Sequence, residues 1–519
     1  MARVHPVQLN IAEGLRVSAH RHPNKVAVLQ EAKRLTFGDL NRRASRLANA
    51  LLGMGLERGD RVGVILANVP EYVEICFGLA KAGLTLVPIS YRLISSEVAF
   101  QLSHSDSRAL IAGIDHLSTV EDAKTALHTI EHYLVIGESI PEGMIAYEDA
   151  LARAADSEPR NSLAETAPFF IGYTSGTTGV PKGAVISHRS RVLTFFGMAA
   201  EYGCYTPDDI SLAVAPIYHG AGMAFALAPV YFGGTVSLLK SFNAEDVLRS
   251  LDTDGITNIF LVPTMFQAIF ALPETGRRRY AHSALKVIMS NAAPLPQATK
   301  ELIVREWPLS GLYELYGSTE GGIVTTLRPR DQLRKNQCVG QPFPLTDIKL
   351  LNDEGDEVEV GEVGELFSRS PYLLNGYHKQ PEALLESLRG QYFSAGDMAV
   401  LDDEGYFYIV DRKKDMIVTG GVNVYPREVE EVLLRHPKIA DVAVIGVADT
   451  YWGEAVKAVI VLKPTMKASI EEIIHFCDGK LAGFKHPNTV EFVAALPRNS
   501  AGKVLKRRLR EVIRENDPK

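Results

Sequence analysis

Between Phe37 and Ser90 the hydrophobic period changes three times, and this alternation limits the possible folds more than any other feature of the chain. "FGDLNRRASRLANALLGMG" is spaced as a helix that stops at Gly53 or Gly55. "RVGVILA" is a short apolar run with the character of a buried strand. "PEYVEICFGLAKAG" returns to helical spacing, with Pro70 at a first helical position and Gly83 at the stop. "LTLVPIS" is again strand-like. Strands alternating with helices in this way predict a parallel sheet covered by helices, an α/β fold.

The same rhythm continues through the middle of the chain. "FFIGYT" and "GAVIS" are short apolar runs, and Ser187 is placed to cap a helix over "HRSRVLTFFGMAAEYG". "GITNIFLVP" reads as strand, "TMFQAIFAL" as helix, and "LKVIMSNAAP" as strand into loop. After about Val339 the pattern becomes antiparallel, with Asp-Glu-Gly turns punctuating "IKLLNDEGDEVEV", "GEVGELFSR" and "AVLDDEGYFYIVD". The charged knot "DRKKD" at 411–415 marks a boundary between a large N-terminal part (1–410) and a small α+β domain (416–519). In that small domain "YPREVEEVLLRHP" and "SIEEIIHFCDGKLAG" read as helices, and "DVAVIGV", "EAVKAVIVL" and "TVEFVAAL" as strands. No internal repeat or low-complexity tract interrupts the chain.

Bulk properties exclude several classes. A chain of 519 residues exceeds a single core and implies about three structural units. A net charge of −7 argues against nucleic acid as the main partner. The four cysteines, Cys76, Cys204, Cys338 and Cys477, are too scattered for a disulfide framework or a zinc site and fit a reducing, cytoplasmic setting. No secretory signal is evident at the N-terminus. The uncharged stretch between Asp209 and Lys240 is long enough to span a membrane. Its prolines and glycines break it instead into strand, loop, short helix and strand, so no integral span is expected.

"YTSGTTGVPKGAVISH", Tyr173 to His188, is the stretch that carries chemistry. Gly176 and Gly179 let backbone amides approach an anion, and Thr174, Ser175, Thr177 and Thr178 add hydroxyl donors. A Walker loop requires Ser or Thr after its lysine and a helix starting there. Lys182 is instead followed by Gly183 and a strand-like run. A phosphotransferase built on such a loop is therefore the weaker reading, and a plain glycine-rich turn is weaker still.

With "TSGTTGVPKG" come "YGSTE" at 316–320, "YFSAGD" at 392–397, "DRKKDMIVTGGVNVYPREVE" at 411–430 and "PRNSAGKVLKRRLR" at 497–510. Together and in this order they resemble the adenylate-forming superfamily, which holds acyl-CoA synthetases, adenylation domains of peptide synthetases and luciferases. The resemblance covers essentially the whole chain. It implies a large N-terminal domain of several subdomains, parallel sheets with helices plus a distorted β unit, and a small mobile C-terminal lid. It implies two half-reactions, in which a carboxylic acid and ATP give an acyl-adenylate and pyrophosphate, and a thiol then displaces AMP.

The same resemblance assigns residues. Thr174 to Gly179 and Lys182 hold the β- and γ-phosphates, Thr319 meets the α-phosphate, and Glu320 binds Mg²⁺. Asn291, Ala292, Ala293 and Pro294, with Glu314, Leu315, Tyr316, Gly317 and Ser318, form the adenine pocket, although Asn-Ala-Ala replaces the glycine-rich run of many relatives. Asp397 and Arg412 hold the ribose, with Ile409 beside them. His219 lies beside the acyl carboxylate. Lys503 contacts the carboxylate and α-phosphate during adenylation, and a flexible point charge suits that transient task. The small domain then rotates about Lys414, bringing Gly420 and Gly421 of "TGGVNV" to a thiol channel. A homodimer is the family-level expectation.

The segments that line the acyl pocket in this family read Tyr218, Met223, Ala224, Val262, Pro263, Thr264, Ser290, Asn291, Leu315 and Ser318 here, with no formal charge. An unpaired buried charge is costly, so the expected acid has an uncharged fatty or aryl tail. Coenzyme A is the expected acceptor, because no carrier domain follows the small domain, and Lys485 and the "KRRLR" run are candidates to meet its phosphates. The alternatives are a freestanding adenylating enzyme that loads an acyl carrier protein and a noncatalytic AMP-binding protein.

Overall fold

The computed structural model describes residues 8–159, 163–174, 181–420, 422–449, 451–498 and 504–516. The chain forms two compact units, Met1–Asp347 with Ser368–Phe393, and Ile348–Phe367 with Ser394–Lys519. Residues 411–415 lie within the second.

Two sheets build the first unit. In one, the strands Gly311–Ser318, Val287–Ser290, Asn258–Leu261, Ile210–Ala213, Thr235–Leu238 and Val26–Gln30 run side by side and parallel. Antiparallel strands close both edges. In the other, Pro168–Thr174, Thr85–Pro88, Arg61–Ile65, Ser107–Gly113, His132–Ile136 and Ile145–Ala146 are parallel, and Lys182–Ser187 and Gly376–Tyr377 extend the edge antiparallel. Strands Thr85–Pro88, Thr235–Leu238, Asn258–Leu261 and Val287–Ser290 are four residues long and buried on both faces. That is why they read as unbroken apolar runs rather than alternations. Helix Pro70–Ala82 starts at its proline, ends at Gly83 with φ 74°, and is buried almost all round.

The uncharged stretch folds as its breakers require: strand Ile210–Ala213, loop, helix Gly220–Tyr231, strand Thr235–Leu238. Among the described residues no helix is long and apolar enough to cross a membrane. All four cysteines are buried, and none is in a disulfide.

In the second unit the strands Asp347–Leu351, Val363–Arg369, Tyr392–Leu401 and Phe407–Arg412 form the expected β unit. A second sheet orders Val422–Val424, Ile417–Thr419, Gly453–Leu462 and Ile439–Asp449, with Thr489–Phe492 parallel to Gly453–Leu462. The helix expected over "SIEEIIHFCDGKLAG" is shorter, Ile470–His475. Turns continue from it to Gly479, whose φ of 68° is left-handed and ends any helical run.

Candidate functional site

The strands that flank the phosphate loop are antiparallel neighbours. Thr174 ends one strand, Lys182 begins the next, and the two face each other in register. Ser175, Gly176, Thr177, Thr178 and Gly179 lie outside the described residues, as do Gly421 and Lys503. Lys182 opens strand Lys182–Ser187, so the helix that a Walker loop needs is replaced by a sheet edge. Helix His188–Tyr202 begins only afterwards, capped by the Ser187 hydroxyl accepting from Ser190 N at 3.1 Å.

Thr319 and Glu320 sit at the turn of a hairpin, between strands Gly311–Ser318 and Gly322–Leu327. The turn is held by Gly321 N donating to Ser318 Oγ at 2.9 Å. Its closure depends on Gly317, where an added Cβ would lie 2.0 Å from the Gly322 carbonyl oxygen. This hairpin meets the strands that flank the phosphate loop. Thr174 Oγ1 donates to Glu320 Oε1 at 2.8 Å, and Tyr377 OH reaches the same oxygen at 3.4 Å. Lys182 Nζ lies 5.2 Å from the centre of the Tyr377 ring. Gly172, two residues before Thr174 on the same strand face, packs at Thr319, since a Cβ there would be 3.2 Å from Thr319 Cγ2. Three residues assigned separately from sequence, Thr174, Lys182 and Glu320, therefore form one cluster, joined by Tyr377, which sequence reasoning missed. Burial and the Glu320 charge both push the Tyr377 phenol up, so it stays a neutral donor.

The cluster fits a divalent cation. Glu320 Oε1 is taken by two hydroxyls, and Oε2 has no hydrogen bond among the described residues. One carboxylate oxygen beside a phosphate loop is the ligand set Mg²⁺ uses when substrate phosphates supply the rest. Asp402, Asp403 and Glu404 also lie close together, but they form an exposed turn in the second unit.

His219 occupies the N-cap position of helix Gly220–Tyr231. Its ring stands 4.5 Å from that of Tyr218, and its buried Nε2 has no partner among the described residues. Burial, reinforced by the Arg92 charge, lowers its pKa to about 4, so the imidazole is neutral at physiological pH. A neutral ring with a vacant nitrogen can hydrogen-bond a substrate oxygen.

The expected adenine segment comes directly after strand Val287–Ser290. Ala292 has φ 78°, a left-handed conformation that a side chain opposes. Asn291 Oδ1 accepts from Ala292 N at 2.6 Å and helps hold it. Glu314 anchors the far end of the loop, accepting from Leu295 N at 3.2 Å and pairing with the buried ammonium of Lys300. Glu314 thus serves the loop from beneath. Leu315 is buried, and Tyr316, Gly317 and Ser318 are half-buried along their strand, while Ala293 and Pro294 are exposed.

In the second unit Asp397 and Arg412 are paired across neighbouring strands, Arg412 Nε to Asp397 Oδ1 at 3.0 Å. Strand Tyr392–Leu401 runs through Asp397, with Gly396 beside it at φ 79°. Ile409 lies on the neighbouring strand Phe407–Arg412, and Lys414 in a short 3₁₀ turn. Gly420 ends strand Ile417–Thr419 with φ 56°. Of the basic residues considered for acceptor phosphates, Lys485 pairs with Glu428 at 2.7 Å, Lys506 with Glu430 at 2.7 Å, and Arg510 with Asp415 at 3.1 Å.

Arg191 was also missed. It is only 8% exposed in the first unit, near Gly220 and Thr319. The spacing His188, Arg191, Val192, Phe195 places it on the buried stripe of its helix, and that signal is visible in the sequence.

Comparison with known proteins supplies a family. Residues 15–378 match the model described as AMP-binding enzyme, and 428–503 that of the AMP-binding enzyme C-terminal domain. A feruloyl-CoA synthase of Amycolatopsis sp is 34% identical over 498 residues, covering 95% of this chain and 96% of that protein. The fatty acid–[acyl-carrier-protein] ligase ScoC of Streptomyces coeruleorubidus is 33% identical over 98% of both. The solved fatty acyl CoA synthetase of Mycobacterium tuberculosis superposes with a TM-score of 0.80 at 31% identity, covering 98% of this chain and 99% of that one.

Proposed function

The chain belongs to the AMP-binding enzyme family and is an AMP-forming acid–CoA ligase, and on that premise we propose that its acid carries an uncharged fatty or aryl tail. One observation carries the catalytic reading: two antiparallel strand pairs put Thr174, Lys182 and Glu320 together at the end of the phosphate loop.

In the first half-reaction a carboxylate oxygen of the acid bonds to the α-phosphorus of ATP, and the bond to pyrophosphate breaks. No general base is needed, because the acid is already ionised at neutral pH. Lys182 and Thr174 hold the β- and γ-phosphates, Thr319 donates to the α-phosphate, and His219 hydrogen-bonds the acyl carboxylate. Glu320 would hold Mg²⁺, which supplies charge neutralisation across the phosphate oxygens. Asp397 and Arg412 take the ribose hydroxyls. Lys503 serves adenylation. In the second half-reaction the coenzyme A thiol gives up its proton to solvent, its sulfur bonds to the acyl carbonyl carbon, and the bond to AMP breaks. The division into residues 1–410, a hinge at 411–415 turning about Lys414, and residues 416–519 belongs to the same proposal.

Fatty and aryl tails both find support in the relatives, whose printed activities are on ferulate and on fatty acids. The test is pyrophosphate release with ATP, Mg²⁺ and CoA over a panel of ferulate, 4-hydroxybenzoate, decanoate and palmitate, with malonate and phenylalanine as charged comparators. Turnover confined to the uncharged tails supports the proposal, and preference for malonate or phenylalanine sinks it. The carrier-protein ligase among the relatives favours a second acceptor. AMP release with CoA and no carrier protein present separates the two.

A further inference from the structure

Alternate residues of strand Pro168–Thr174 share one face. On that face Thr174 holds Glu320, Gly172 packs at Thr319, and the Phe170 ring lies 4.9 Å from the guanidinium carbon of Arg191. Arg191 projects from the first turn of helix His188–Tyr202. Its Nη1 donates to the Gly220 carbonyl at 3.3 Å, and its buried Nε has no partner. Among the described residues Arg191 forms no ion pair.

Three things oppose a cation there. Burial removes its water. The positive end of the helix dipole lies beside it. One N–H is left without an acceptor. Burial lowers its pKa only to about 10, so it is still charged at neutral pH. The surrounding protein does not complete this group, and an anion would.

The place for the anion is defined by what Gly220 lacks. A methyl group on Gly220 would come no nearer than 3.8 Å to Arg191 Nη2, 3.9 Å to Thr319 Oγ1 and 4.0 Å to Thr319 Cγ2. Guanidinium and hydroxyl therefore face one small space at the start of helix Gly220–Tyr231, next in sequence to His219.

We propose that Arg191 binds the carboxylate of the acid substrate in the space over Gly220. This rests on the ligase reading of the chain. One carboxylate oxygen stays on the guanidinium while the other bonds to the α-phosphorus and pyrophosphate leaves, with no proton transferred. The α-phosphate is the other oxyanion within the same chemistry, and the test separates the two.

The variants are Arg191→Met, which keeps the side-chain length, Arg191→Lys, which keeps the charge, and Gly220→Ala. The acid is whichever of ferulate, 4-hydroxybenzoate, decanoate and palmitate the wild type uses best. In Arg191→Met the KM for that acid rises about tenfold or more while the KM for ATP stays within about twofold, with Arg191→Lys in between. Thioester formation from preformed acyl-adenylate stays within about threefold of wild type, because no free carboxylate has to be captured. Gly220→Ala meets only ordinary van der Waals contacts and folds with unchanged Tm, yet raises the acid KM about fivefold by filling the space. An Arg191→Met enzyme with unchanged acid KM overturns the proposal, and so does a rise confined to the KM for ATP. If Arg191→Met does not fold, Gly220→Ala decides, and an unchanged acid KM there overturns it. A wild type that releases no pyrophosphate with any panel acid brings down the ligase reading itself, whereas an active wild type with insensitive variants brings down only this inference.

Discussion

Glu320 shows how little of a residue's role lies in the residue. Its identity as a carboxylate in "YGSTE" was legible in the sequence, but the hydroxyls of Thr174 and Tyr377 that fix one oxygen and leave the other open were not. Tyr377 lies 57 residues away and carries no motif. Glu320→Gln keeps those hydrogen bonds and removes the charge, so kcat for pyrophosphate release should fall by about a hundredfold or more with little change in Tm. His219 is neutral above about pH 4. The kcat/KM profile should therefore show no limb from this residue between pH 6 and 9, and a limb that vanishes in His219→Gln would contradict the assignment. His188 is the stability counterpart. Burial drives its pKa down to about 3, and its Nδ1 accepts from Ile11 N at 3.3 Å. The folded state binds this proton less readily than the unfolded chain, whose histidine titrates near 6.5. Its contribution is thus complete above about pH 6.5 and is lost as pH falls toward 3. The slope is about 1.4 kcal/mol per pH unit, measurable by urea unfolding at pH 7 and pH 5 and reduced in His188→Gln.

At the scale of elements, two antiparallel strand pairs and one strained loop make the site. The hairpin carrying Thr319 and Glu320 closes only because Gly317 has no side chain over the Gly322 carbonyl. Gly317→Ala should cost about 2–4 kcal/mol and remove adenylation even where the protein remains folded, as read by thermal melts beside pyrophosphate release. The loop proposed for adenine gives the opposite sign. Ala292 sits at φ 78°, where a left-handed residue costs about 1–2 kcal/mol and glycine's extra chain entropy about 0.5–1. Ala292→Gly should accordingly raise stability by about 1 kcal/mol or less, and a fall in Tm would show that the methyl is needed for packing. The elements themselves were largely readable. Short buried strands and Pro/Gly-bounded helices announce themselves over a few residues, as Pro70–Ala82 did. The miss was local: the helix from Ile470 stops at His475 although its apolar spacing runs on, and Gly479 at φ 68° closes the turns that follow.

For the whole molecule the residues proposed for the chemistry fall in two units, Lys182 and Glu320 in one, Asp397 and Lys503 in the other. Lys503 is proposed for the first half-reaction only. Lys503→Ala should abolish ATP–pyrophosphate exchange and spare thioester formation from preformed adenylate, and exchange near the wild-type rate would refute that role. The sequence by itself determined the α/β fold, the antiparallel and α+β C-terminal parts, and the nucleotide chemistry. Each of these is written in local period, turn residues or contiguous motifs, which act over distances the chain covers in a few residues. Tertiary structure alone decided which groups share a site. Thr174, Glu320 and Tyr377 come from three stretches far apart in the sequence, and Arg191 becomes a candidate carboxylate binder only because Gly220 and Thr319 are folded against it. A charge in a helix reads as solvated surface until the packing around it shows that water has been removed, and that packing is a property of the assembled layers.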